Sequence, residues 1–125
     1  MIEAIIFDFG DVFINLDKQK IDSEFRKLGL TAWHEDIDAL HKQYELGKID
    51  ELEFMSGFQK HLPKADLMSI RSAWCSILGD FPLYRLEFLQ MIASKYRLFL
   101  LSNTDHTHIE KFEHNEGLTF ARDFY

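Results

Sequence analysis

Cysteine is almost missing: Cys75 stands alone among 125 residues. No intrachain disulfide can form, and such a chain is expected in a reducing compartment, by default the cytoplasm. Basic residues are also scarce, with 14 Lys and Arg against 21 Asp and Glu and a formal net charge of -7. A nucleic-acid interface needs a clustered basic face, so no nucleic-acid partner is expected. Small phosphorylated ligands stay open, because backbone N–H groups and a metal ion bind phosphate inside a protein that is acidic overall. No apolar run approaches the ~18 residues of a membrane span. The opening "MIEAIIF" has an acid where a signal peptide carries Lys or Arg, so no membrane partner is expected either. Proline occurs twice, at Pro63 and Pro82, and each punctuates a helical pattern.

What is present is helical periodicity between two short apolar runs. Ile21, Phe25 and Leu28 share one helix face, and Ile37, Leu40 and Tyr44 another, with Gly47 as a C-terminal stop. Asp50 followed three residues later by Glu53 forms a capping-box pattern ahead of Phe54, Phe58 and Leu62. Leu67, Ile70, Trp74 and Ile77 make a fourth stripe, and "LYRLEFLQMIASKY" predicts a fifth amphipathic helix. The apolar runs are Ile5–Phe7, ending on Asp8, and Leu98–Leu101, ending on Ser102. Both read as buried parallel strands. A helix from about Asp105 to Gly117 follows, and "LTFARDFY" reads as the approach to a third strand. The pattern predicts an α/β fold, a partial Rossmann-like parallel sheet with an inserted helical bundle.

In open parallel sheets, ligands bind beyond the carboxyl ends of the strands. If the two runs are neighbours, Asp8 and Ser102 converge there. A carboxylate can attack phosphorus and form an aspartyl-phosphate. The N–H groups of Phe9 and Gly10, the Ser102 hydroxyl and the Asn103 N–H are then placed to hold the phosphoryl oxygens. Gly10 is read as permitting a tight turn. Two anions need a hard cation between them, normally Mg²⁺.

"IIFDFGDV" resembles the first motif of the haloacid dehalogenase-like hydrolases, "LFLLSNT" their second, and "YELGKIDELEF" a segment of their helical cap. The resemblance implies a Mg²⁺-dependent phosphatase of a small phosphorylated metabolite. Asp8 would be nucleophile and metal ligand, the Gly10 carbonyl a second metal ligand, and Ser102 with Asn103 the phosphoryl binders. It also implies a sheet domain of residues 1–16 and 80–125, with a cap of residues 17–79. Two departures follow. The family's second Asp, its acid and base, is replaced by Gly10, with Asp11 the nearest substitute. The later Lys and acidic pair have no match, since Lys111 falls in a helix and Asp123 lies near the end. The chain is therefore expected to be the N-terminal part of a longer protein or a truncated product.

Other readings stand beside this one. A 2-haloacid dehalogenase shares the motifs. A non-catalytic module could form a homodimer through the exposed edge of the Asp8 strand. Asp8 alone could make an Asx-turn, and Ser102 to Thr104 a helix cap. His106 and His108 are expected on the surface or rim, because an i, i+2 spacing suits helical metal ligation poorly. Phe54, Phe58, Trp74, Phe81 and Phe88 are expected in the core, and Cys75 is read as a buried filler.

Overall fold

A computed structural model describes residues 1–116. The expected helix stop at Gly117, the third-strand approach and Asp123 lie outside the described residues. Strands β1 (Ala4–Phe7) and β2 (Arg97–Leu100) pair in parallel, with Ala4 opposite Arg97 and Phe7 opposite Leu100. The ladder is extended by Arg97 N–H to the Glu3 carbonyl at 3.1 Å and by Leu101 N–H to the Phe7 carbonyl at 2.8 Å. Between the strands come α1 (Lys18–Lys27), α2 (Glu35–Glu45), α3 (Glu51–Gln59), α4 (Leu67–Cys75) and α5 (Leu83–Ala93), and α6 (His106–Glu116) follows β2. Among the described residues no helix is long and apolar enough to cross a membrane.

Helix starts follow local chemistry. Asp50 accepts the Glu53 N–H at 2.8 Å while Glu53 accepts the Asp50 N–H at 3.5 Å, the expected reciprocal cap. Asp17 and Asp66 cap α1 and α4 in the same manner, accepting from Lys20 and Ser69. Past the end of α2, Gly47 takes a φ of 74°, which a side chain would disfavour.

The apolar residues form two clusters. Phe25, Ile37, Phe54, Phe58, Leu62, Ile70 and Trp74 fill the space among α1–α4. Phe9, Phe13, Leu89, Ile92, Leu98 and Phe112 fill the other, beneath the sheet, α5 and α6. Three expectations need correction. No residue of β1 is buried, and Ile6 is 68% exposed. Ile5, Phe7, Leu98 and Leu100 turn toward the second cluster, and Ile6 lies on the opposite face. α5 is apolar on more than one side: Leu89 and Ile92 are buried, but Leu83, Tyr84, Phe88 and Met91 are exposed. Phe88 is thus not a core residue, and Phe81 is half-buried. The second strand also begins one residue earlier than expected and leaves Leu101 exposed.

The chain crosses between the two clusters twice, and the crossings are joined. Asn15 N–H donates to the Asp80 carbonyl (2.9 Å), Gly79 N–H to the Asn15 carbonyl (2.7 Å) and Asp17 N–H to the Ile77 carbonyl (2.7 Å). Arg85 holds the junction from the side, donating to the Phe13 carbonyl and to Asn15 Oδ1. Gly79 is required by closeness: a Cβ there would stand 2.5 Å from the Asn15 carbonyl oxygen, a backbone atom that cannot swing aside. Gly79→Ala is expected to destabilise the fold by about 1–3 kcal/mol, the usual cost of overpacking. Urea unfolding checks this, and an unchanged midpoint would contradict the steric reading.

Candidate active site

The segment after β1 folds back on itself. Phe9 is buried, edge-on to Phe112 at 4.8 Å, and its carbonyl accepts from Val12 (3.2 Å) and Phe13 (3.0 Å). Asp11 has a φ of 59°, so the left-handed residue of this turn is Asp11 and not Gly10. At Gly10 a Cβ would lie 2.8 Å from Leu16 Cδ1, the end of a flexible side chain that can shift aside. The Asp11 carboxylate accepts the Leu16 N–H at 2.9 Å, so the side chain expected to replace the missing acid is engaged in closing the turn. Asp8 is exposed and its Oδ1 accepts the Phe9 N–H at 2.7 Å. That N–H, expected to face phosphate, is taken up by the carboxylate beside it.

The β1–β2 register sets Asp8 level with Leu101. Next to them opens a cleft of about 330 Å³, and Phe9, Gly10, Ser102 and Asn103 line one end of it. Four of the five residues singled out by sequence therefore share one cavity. Asp8 adjoins the lining through Phe9 but is not part of it.

The rest of the lining holds residues that the sequence reading missed or misplaced. Trp33, His41 and Glu45, and Trp74 on α4, belong to it together with Asp105 and His108. The Asp105 side chain is fully buried. Its Oδ2 accepts from Trp74 Nε1 (3.1 Å) and faces His108 Nδ1 (3.2 Å) and His41 Nε2 (3.7 Å), while its Oδ1 accepts the His108 N–H (2.9 Å). Asp105 thus caps α6, the role expected of Ser102 to Thr104. His108 also places Nε2 against the Trp74 carbonyl at 2.9 Å and stacks on the indole at 5.0 Å between ring centroids. It is part of the wall and not a rim residue, whereas His106 is exposed as expected. Burial opposes ionisation of Asp105, but the nearby His41 ring, His108 with its N–H, and the Trp74 N–H outweigh it and hold the carboxyl below its usual range.

Two residues after Asp105, the buried Thr107 hydroxyl donates to Glu51 Oε1 (2.7 Å) and meets the Tyr44 hydroxyl at 2.6 Å, while Arg71 Nε donates to the same Glu51 oxygen at 2.8 Å. Burial alone would raise the Glu51 pKa. The Thr107 hydrogen bond and Arg71 reverse that and lower it. Cys75 is buried, and that burial raises its thiol pKa, in keeping with a filler role.

The short parallel sheet of this α/β fold has a cleft at its strand ends, where such sheets bind ligands. No family model matches the chain. It is 30% identical over 111 residues to the D-ribitol-5-phosphate phosphatase of Bacteroides thetaiotaomicron, a match covering 84% of this chain and 54% of that protein. The structure of a HAD family enzyme from the same organism, in complex with magnesium and inorganic phosphate, superposes with a TM-score of 0.87 at 32% identity, covering 100% of this chain and 66% of that one. A predicted HAD-like family hydrolase of Porphyromonas gingivalis matches with a TM-score of 0.74 at 26% identity, over 88% of this chain and 55% of that one. The chain belongs to the haloacid dehalogenase-like hydrolase family, and it spans about half the length of the curated relative it matches.

Asp105→Asn is expected to cost on the order of 2 kcal/mol at neutral pH, the scale of a charge-assisted hydrogen bond. Because folding lowers this pKa, the carboxylate stabilises the fold above the unfolded value, roughly pH 4. That contribution is lost as the pH falls from there through the folded value. Denaturant midpoints measured from pH 6 to pH 2.5 should therefore fall more steeply for the native protein than for the variant. Parallel curves would contradict the linkage.

Proposed function

We propose that this chain carries the nucleophile and phosphoryl-binding half of a Mg²⁺-dependent phosphatase acting on a small phosphorylated metabolite. The observation that carries the reading is the β1–β2 register, which delivers the turn at Asp8–Gly10 and the Ser102–Asn103 pair to one cleft. Asp8 attacks phosphorus and displaces the leaving oxygen, and water then hydrolyses the aspartyl-phosphate. The Ser102 hydroxyl and the Asn103 N–H hold the phosphoryl oxygens as charge shifts onto them, with the Gly10 N–H as a further donor. The donor set also suits a hard cation. Asp8 is exposed and uses only Oδ1 in its hydrogen bond, and the Gly10 carbonyl accepts none from the described residues. Asp8 and the Gly10 carbonyl would hold Mg²⁺, which would supply charge neutralisation at this site when bound.

In this reading residues 17–79 form the cap that screens substrates, and residues 1–16 and 80–125 belong to the sheet domain. Polyol and sugar phosphates are the substrate class to test first, given the relative named above. The full-length gene product is expected to release phosphate from at least one member of such a panel. Asp8→Asn should lower kcat by about 10³-fold or more, and chelation should abolish activity until Mg²⁺ is restored. Equal rates for Asp8→Asn and the unsubstituted protein would end the proposal, and chloride release from a 2-haloacid would favour the dehalogenase reading.

A second reading has its own observation. β1 has a neighbour on one side only among the described residues, and Ile2 and Ile6 beside that open edge are each 68% exposed. Such an edge is a template for strand addition, including from a second copy of the chain. Sedimentation of the 125-residue chain is expected to show concentration-dependent dimers, and a monodisperse monomer at every concentration would count against it.

A further inference from the structure

The phosphatase reading leaves one step without a residue. The leaving oxygen of an alkyl phosphate needs a proton, yet position 10 is a glycine and the Asp11 carboxylate is occupied by the Leu16 N–H. The titratable side chains lining the cleft are His41, Glu45, Asp105 and His108. Three of them are unsuited. Asp105 is buried and held ionised by its donors. His108 has both ring nitrogens committed, Nδ1 to Asp105 and Nε2 to the Trp74 carbonyl. Glu45 accepts from His41 Nε2 at 2.7 Å. His41 differs: only Nε2 is engaged, with Glu45 and more distantly Asp105, and Nδ1 makes no hydrogen bond to the described residues. Its ring stands edge-on to Trp74 at 4.7 Å, and the side chain is 30% exposed in the cleft.

We propose that His41 is the general acid and base of the reaction, with Glu45 as its positioning residue. This rests on the aspartyl-phosphate reading above. The Asp8 oxygen bonds to phosphorus as the ester P–O bond breaks. The departing oxygen takes the electron pair of that bond together with the Nδ1 proton of the His41 imidazolium, and leaves as an alcohol. In the second half, water gives a proton back to Nδ1 as its oxygen bonds to phosphorus and the Asp8–phosphorus bond breaks. The sum is ester plus water to alcohol plus phosphate, with His41 and Asp8 regenerated. A carboxylate on Nε2 suits this role, since it fixes the ring and leaves Nδ1 free to exchange a proton. The charged or titratable groups near His41 are Glu45 on its own helix, and Asp105 and His108 at the start of α6.

The test compares two leaving groups in the full-length protein. With an alkyl phosphate, His41→Gln is expected to lower kcat by about 10²–10⁴-fold, the usual weight of a general acid. With p-nitrophenyl phosphate, whose phenolate leaves unprotonated, the loss should stay within about tenfold. The basic limb of the kcat/KM profile for the alkyl substrate should disappear in His41→Gln. Glu45→Gln should lower kcat on the alkyl phosphate and leave p-nitrophenyl phosphate within about tenfold, because the ring loses the carboxylate that orients it. Equal losses on both substrates, or an unmoved basic limb, would overturn the assignment and leave His41 a structural residue. Failure of the aspartyl-phosphate reading looks different, because there Asp8→Asn would retain activity on both substrates.

Discussion

The site depends on the parallel pairing of two four-residue strands, with Phe7 opposite Leu100. Side chains alternate along a strand, so a shift of one position would turn Leu98 out of the second cluster and move Ser102 away from the turn that follows β1. Leu98 is fully buried between Ile5 and the α5 residues Leu89 and Ile92, which makes such a slip costly. Hydrophobic burial thus fixes a polar geometry several residues downstream. No direct bond between the two loops is needed for them to share a cleft.

The turn after β1 shows how a backbone requirement limits chemistry. The Leu16 side chain packs against Gly10, and a side chain at that position would shift its tip. The next residue takes the left-handed conformation, and its carboxylate closes the turn on the Leu16 N–H. The acid at position 11 is thereby committed to the fold-back that presents Gly10 to the cleft. The cleft's other titratable groups gather where α2 approaches the start of α6, and there a buried carboxylate organises two histidines and an indole.

Much of this was legible in the chain. Asp50 and Glu53 announce their cap because both partners lie within one helical turn, and Gly47 marks a stop by its own backbone freedom. The two strand ends were legible because an apolar run closing on a polar residue is a local signal. The cluster around Asp105 was not, since His41, Trp74 and His108 are far apart in sequence and meet only through the packing of α2, α4 and α6. His108 was misplaced for the same reason: its spacing from His106 describes the helix surface and says nothing of the indole lying over it. α5 misled in the opposite direction. Its composition suits a core helix, yet the described residues cover only the side holding Leu89 and Ile92.

The joined crossings at Asn15–Asp17 and Ile77–Asp80 have a mechanical consequence. Two separate linkers would let the helical layer slide as well as tilt over the sheet, but a laddered pair resists sliding and leaves rotation as the soft motion. The junction then acts as a single pivot, and displacement grows with distance from it. The hydrogen bonds from Trp74 to Asp105 and from Thr107 to Glu51 lie between the layers and latch that swing. Entry to the cleft is thereby coupled to the breaking of a small number of polar contacts around the start of α6.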